Sequence, residues 1–263
     1  MGELTALATQ YRETFLFVFF RLSGMLAVAP LLGHRSIPIP HRAGLAGLLA
    51  LVLTPLYGGA SSAHAGDGLA LVLAVIGELF IGLVIGFVAS LLVAAVQSAG
   101  ELVGFQMGLG IAAAYDPAMG HQTNVLTRLH EVLALLLFLA LNGHHVLLQA
   151  VAASFQRIHP GTVLVQGGVA AGVAGLGGKL FRSGLELAAP VVGILFAVNV
   201  ALALLTRVAP AVNVFALSMP LTVAVGIFAF VETSPYVFGV VARLIREIGG
   251  DLSTVLLGAG HGV

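Results

Sequence analysis

Residues 100–124 of the chain read GELVGFQMGLGIAAAYDPAMGHQTN. The first three glycines, Gly100, Gly104 and Gly108, recur at every fourth position. On a helix they would form a seam without side chains, against which another backbone could pack closely. We therefore predict helix packing at Gly100 and Gly104. Because Gly104 would admit a neighbouring helix or loop at contact distance, we expect valine to be more harmful there than at Gly82, which belongs to a second glycine pair with Gly86.

The seam gives way to a stretch that contains helix-breaking residues. Asp116-Pro117 and the glycines around it favour a turn over a helix, so we predict an irregular, half-apolar loop over 108–124. Such backbone at membrane depth is tolerated only inside protein or beside a water-filled cavity. Phe105 and Met107 precede it. They could be ordinary core packing, or they could act as soft apolar side chains that close an opening and still repack. We therefore interpret this stretch as a gating or pore-lining element.

The composition places the chain in a membrane. Of its 263 residues, 59% are hydrophobic and only 8% are charged, and the mean hydropathy is +1.08. Soluble domains contain about 25% charged residues, so we predict an integral membrane protein. The net charge is +0 and there is no cysteine. These values argue against nucleic-acid binding and exclude disulfides and thiolate chemistry.

Apolar segments of helical length follow one another along the chain, which predicts an all-α membrane protein. We find no internal repeat and no soluble domain, and therefore predict one domain over residues 1–263. We expect the first apolar segment to stay attached, since it lacks the basic start and cleavage site of a signal peptide. The predicted helical segments are 14–32, 43–57, 69–99, 125–141, 144–156, 187–206, 212–231 and 236–257, with 33–42 and 158–178 as mainly irregular connections.

Charged residues inside the apolar segments need compensation. Each costs about 2.5 to 3.5 kcal/mol at the centre of a membrane helix, so five of them facing lipid would cost on the order of 15 kcal/mol. They must pair, line water or lie in segments that other proteins enclose, and the many short and broken helices favour enclosure. The residues concerned are Arg21, Glu78, Glu101, Glu131 and Glu186.

Motifs that would indicate catalysis are incomplete. The run from Gly108 to Ala113 fits the G-x-G-x-x-A dinucleotide fingerprint, but no strand precedes it and no βαβ pattern surrounds it. His130-Glu131 begins like the zinc-protease motif H-E-x-x-H, but Ala134 stands where the second ligand belongs. We therefore expect no enzymatic activity, no cofactor and no metal site.

Several runs distributed over nearly the whole chain are similar to one known family. They are APLLGHRSIP (29–38), GELVGFQMGL (100–109), Asp116-Pro117, LNGH (141–144), LTRVAP (205–210) and MPL (219–221). On these runs the chain is identified as a member of the FliR/YscT/SpaR family of type III secretion export gate components. The form of the central run resembles the flagellar branch.

The resemblance implies a component of the flagellar protein export gate, which passes unfolded flagellar subunits out of the cytoplasm. It implies bent helical hairpins packed in a hetero-oligomer with FliP and FliQ, with FlhB at the entrance and FlhA nearby. The setting would be the bacterial inner membrane, among lipids, at the flagellar basal body. It also implies that the region around 104–120 forms a channel plug, whose candidate residues here are Phe105, Gln106, Met107, Gly108, Leu109, Gly110, Ile111, Tyr115, Asp116 and Pro117.

Alternative functions follow from the same residues. A virulence-type export gate, that of an injectisome, belongs to a sister family. A small-solute transporter would use broken helices as a midplane binding site, but usually shows paired inverted repeats. An intramembrane enzyme would need a convergent nucleophile or metal constellation.

Overall fold

The computed structural model describes residues 2–34, 36–57, 68–109, 124–161, 168–211 and 213–258. These ranges contain helices and connecting turns but no strand, so the predicted all-α class is confirmed. The helices within them are α1 (Gly2–Val28), α2 (Ile39–Tyr57), α3 (Gly68–Gln106), α4 (Val125–Ala140), α5 (Gly143–Arg157), α6 (Gly168–Val208) and α7 (Val214–Gly258).

Four helices in the described part are long and apolar enough to cross a membrane. They are α2, α3, the Ala171–Val208 part of α6 and the Ala216–Leu252 part of α7. The pair α4 and α5 provides a fifth candidate if its two helices are taken as one broken span. Length and composition thus support the prediction of a membrane protein.

Two predicted helices near the C-terminus form one. The sequence predicted separate helices over 212–231 and 236–257, but α7 runs continuously past Pro220 and Pro235. A proline removes one backbone donor and bends a helix without having to end it. In a membrane the remaining backbone groups still have to be satisfied, which favours continued helix.

The predicted irregular connections are shorter than expected. The second part of 158–178 is helical, because α6 begins at Gly168. Alanines in that stretch favour helix and offset the preference of its glycines for coil. Similarly, α2 begins at Ile39 and places Pro40 in its first turn, where the missing N–H has no intrahelical partner to lose.

The predicted separation of helices 125–141 and 144–156 is confirmed. Asn142 has a left-handed backbone with φ of 57° and stands between α4 and α5. The N–H of Leu141 still donates to the carbonyl of Leu137 at 2.9 Å, whereas that of His145 donates to the carbonyl of Asn142 at 2.9 Å. One helix therefore ends and the next begins within two residues.

The chain divides into two compact units. The first consists of Met1–Leu91, Asn142–Gly177 and Arg246–Val263, and the second of Leu92–Leu141 and Gly178–Ile245. The helices α3, α6 and α7 contribute to both. The prediction of one domain over 1–263 stays a prediction.

In the first unit, α1 packs on α2 and lies against the backbone of α3. A Cβ on Gly82 would collide with the carbonyl oxygen of Arg21, and one on Gly86 would lie 2.5 Å from that of Met25. Gly24 of α1 faces the carbonyl of Leu79 equally closely. The second glycine pair is thus a site of close backbone packing.

Candidate functional site

The predicted gate segment starts where α3 ends. The N–H of Gly108 donates to the carbonyl of Phe105 and the N–H of Leu109 to the carbonyl of Gly104, both at 3.0 Å. Gly108 has φ of 79°. These two bonds around a left-handed glycine form a Schellman motif, the usual end of a helix at glycine. Gly108 therefore ends α3 and does not continue a helical seam.

The other two seam glycines face side chains of the same unit. A Cβ on Gly104 would collide with the side chain of Asn124, which precedes α4, and one on Gly100 would lie 2.9 Å from the ring of His130. The ring of His130 is buried and lies 5.0 Å from that of Phe230 in α7. Close packing at Gly100 and Gly104 is observed, but the expected neighbouring backbone is replaced by polar side chains.

Met107 holds the end of α3 in the second unit. Met107 is 1% exposed, and its side chain occupies the space that Gly226 leaves free. A Cβ on Gly226 would lie 2.6 Å from Met107 Cγ. The carbonyl of Met107 lies 3.3 Å from the hydroxyl of Thr222, which can donate to it or to the carbonyl of Ser218 at 2.9 Å. Met107 is therefore an anchor of the gate segment in this structure.

The neighbouring candidate residues differ in exposure. Phe105 is 75% exposed, whereas Gln106 and Leu109 are partly buried. The remaining predicted plug residues lie outside the described residues, so the plug stays a prediction. These are Gly110, Ile111, Tyr115, Asp116 and Pro117.

Two of the embedded charges form an ion pair in the first unit. The side chains of Arg21 in α1 and Glu78 in α3 are both 0% exposed. Arg21 Nε donates to Glu78 Oε2, and Arg21 Nη2 donates to Glu78 Oε1 at 3.0 Å. The N–H of Gly161 also donates to Glu78 Oε1, at 2.9 Å. Such a two-bond pair is strong and directional.

The rest of the guanidinium of Arg21 is satisfied by α5 and the turn after it. Nη1 donates to the hydroxyl of Ser154 at 2.9 Å, and Nη2 donates to the carbonyl of Ile158 at 3.1 Å. The ring of Phe155 lies 4.0 Å from Arg21 Cζ, a distance suited to a cation–π contact. The cluster therefore joins α1, α3 and the end of α5.

Sequence reasoning identified Arg21 and Glu78 as embedded charges but did not pair them. The available signal was that each is an isolated charge of opposite sign in an apolar segment of its own. What was missing was the register of α1 on α3, which depends on the glycines at positions 24, 82 and 86.

The remaining embedded carboxylates are more exposed. Glu131 accepts from Arg128 at 2.7 Å. Glu186 accepts from Arg243 at 3.1 Å, and its oxygen also accepts from the hydroxyl of Tyr236 at 3.3 Å. Glu101 is exposed. Four of the five embedded charges thus have a partner of opposite sign in the described chain, as one of the predicted alternatives requires.

Metal-binding side chains do not converge in the described part of the chain. No group of three or more His, Asp or Glu residues there could hold a metal ion. His144 and His145 are neighbours whose ring centroids lie 4.3 Å apart.

Comparisons with known proteins assign a family. The model of the bacterial export proteins, family 1, matches residues 13–248. The flagellar biosynthetic protein FliR of Escherichia coli (strain K12) is 34% identical over 236 residues, which cover 90% of each chain. FliR of Bacillus subtilis (strain 168) is 34% identical over 88% of this chain and 89% of its own. FliR of Caulobacter vibrioides is 34% identical over 80% and 84%. The chain therefore belongs to family 1 of the bacterial export proteins, and within it to the FliR family of flagellar biosynthetic proteins.

Proposed function

We propose that this chain lines part of the protein-conducting channel of the flagellar type III export gate and supplies its plug. As a FliR family member, the chain is a membrane component of that gate and acts with other export proteins. The proposal adds that FliP and FliQ form the gate with it, that FlhB and FlhA adjoin it, and that unfolded flagellar subunits pass through. It places the assembly in the inner membrane at the basal body.

The observation that supports the proposal is the conformation of the chain at the start of the gate segment, around residues 105–108. Gly108 ends α3 with a defined turn, Met107 is buried as an anchor, and Phe105 presents its ring to the surroundings. An apolar segment that starts at a fixed helix end can be held in a closing position by a few side chains, each contributing about 1.5 to 3 kcal/mol on burial. Such contacts close an opening and can be displaced by a passing chain.

The alternatives have less support. The three relatives reported above are all flagellar proteins, which favours the flagellar gate over the injectisome. The proposal assigns no catalytic activity, because the nucleotide and zinc motifs each lack an obligatory feature.

Deletion of residues 110–114 tests the plug. It removes part of the candidate plug but keeps Met107, Gly108 and Leu109, and with them the end of α3. We expect the complex to assemble and to leak ions, because the opening loses its apolar closure. The measurements are co-purification of the complex and ion conductance of membranes that contain it. Deletion of residues 60–64, in another connection, serves as the length-matched control.

The two measurements separate the possible results. An assembled complex that leaks only with the 110–114 deletion supports the plug. An assembled complex that remains as tight as the control contradicts it. Loss of assembly would instead indicate a structural segment, which also contradicts the proposal.

A further inference from the structure

Both ends of the predicted gate segment meet at one glycine. The N–H of Leu109, at the exit from α3, donates to the carbonyl of Gly104 at 3.0 Å. Asn124, at the entrance to α4, places its side chain against the Cα of the same glycine, with Cγ and Oδ1 2.7 Å from where a Cβ would lie. Gly104 therefore contacts the chain on both sides of residues 110–123.

The side chain of Asn124 is held in place by a second role. Its Oδ1 accepts from the N–H of Thr127 at 2.8 Å, and its backbone is extended with φ of −61° and ψ of 154°. This is the N-cap of α4, which satisfies one of the free backbone donors of its first turn. Asn124 cannot move away from Gly104 without disturbing that cap.

The contact with Asn124 explains why a glycine stands at position 104. It lies in the last turn of α3, where alanine would favour the helix more than glycine does. Gly44 of α2 has nothing within 4 Å of its Cβ position. An alanine should be harmless at 44 and harmful at 104, because only position 104 has the contact with Asn124.

We propose that Gly104 and Asn124 form a clasp, which holds the two ends of the gate segment side by side and so positions that segment. Both are positioning residues. The inference rests on the proposed function for what the segment does, but the contact between the two residues can be tested without it.

The test exchanges the glycine across the contact. G104A introduces a collision with Asn124, and N124G leaves Gly104 facing an empty space, although glycine is still an acceptable N-cap. In the double variant G104A/N124G the side chain of the contact lies at position 104 and the glycine at position 124. We expect severalfold losses of protein export in each single variant and recovery in the double variant, with G44A equal to wild type.

Export, complex assembly and ion conductance are measured for each variant in cells whose own copy has been replaced. Recovery by the double variant, together with raised conductance in an assembled single variant, supports the clasp. If a single variant fails to assemble, recovery of assembly in the double variant tests the contact in the same way.

Two results would overturn the inference. A double variant no better than the worse single variant would show that the residues are not coupled. Assembled single variants with normal conductance and normal export would show that the contact does not position the segment. A tight complex after deletion of 110–114 would reject the plug alone, and the clasp would then be judged on export.

Discussion

At the residue scale, Arg21 and Glu78 show how two charged side chains are accommodated inside an apolar unit. Both side chains are fully buried, and their hydrogen bonds reach Ser154, Ile158 and Gly161. A buried ion pair is often no more stable than a well-packed apolar replacement, but removing one partner leaves the other charge without compensation. The pair is therefore expected to specify the packing of α1 on α3 more than to add net stability.

Removal of one partner should be costly. We expect R21M and E78L each to destabilise the first unit by about 3–5 kcal/mol. The double variant R21M/E78L should lose less than the sum of the single losses, because neither charge then remains buried alone. The measurement is the thermal stability of the detergent-solubilised complex.

The exposed pair of Glu186 and Arg243 provides the control. Their side chains are 39% and 48% exposed, so E186Q should change stability by about 0–1 kcal/mol. If R21M were as stable as E186Q, the buried pair would have no organising role.

The sequence predicts the cost of burying a charged residue better than it predicts which residue that charge contacts. The sequence predicted that the five embedded charges, Arg21 and Glu78 among them, could not all face lipid, since that follows from the cost of a charge in hydrocarbon. It did not predict that they meet, because pairing depends on three-dimensional register. The contact of Gly104 with Asn124 was missed for the same reason, although both residues stood in the quoted stretch.

At the scale of helices, close backbone packing is found between α1 and α3. The expectation that valine at Gly82 is less harmful than at Gly104 is reversed by the geometry. At Gly82 a Cβ meets the backbone carbonyl of Arg21, whereas at Gly104 it meets a side chain. A backbone within a helix has less freedom to move than a side chain.

Substitution of Gly82 should therefore separate α1 from α3. We expect G82A to lower the yield and thermal stability of the complex, and to act more strongly than G104A, because the Arg21–Glu78 pair depends on the same register. Gly44 of α2 has nothing within 4 Å of its Cβ position. G44A should therefore be neutral or slightly stabilising, since alanine favours helix. Equal effects of G82A and G44A would contradict close packing at α1 and α3.

Helix existence was easier to predict than helix ends. Long apolar runs give helix in a membrane because the backbone has no other partner for its polar groups. Boundaries depend on single residues whose effect varies with position, and prolines illustrate this. Pro40 lies in the first turn of a helix, whereas Pro220 and Pro235 lie inside one.

At the scale of the whole molecule, the reason to expect partner proteins has shifted. The embedded charges favoured enclosure by other proteins, but most of them have partners within the described chain. The stronger reason is exposed apolar surface on α6 and α7, including Phe181 at 75%, Phe196 at 61% and Phe228 at 66%. Exposed charges such as Arg182 and Glu232 lie on the same helices.

The mixture of apolar and charged groups favours protein over lipid as the covering partner. Acyl chains satisfy phenylalanine but leave an arginine or glutamate uncompensated, whereas a protein can supply an opposite charge. By contrast, Leu48, Leu51 and Val52 on α2 form an exposed stretch that contains no charged residue. A bilayer suits that stretch better.

The chain should consequently be unstable by itself. Expressed alone, we expect it to be degraded or to aggregate in detergent, because the apolar and charged surface of α6 and α7 stays uncovered. Co-expression with the proposed partners FliP and FliQ should raise its steady-state amount and yield a defined complex, measured by immunoblot and size-exclusion chromatography. Co-expression with an unrelated membrane protein controls for a general effect on insertion. A monodisperse, long-lived monomer from the chain alone would show that lipid or detergent suffices to cover α6 and α7, and would contradict the need for partners.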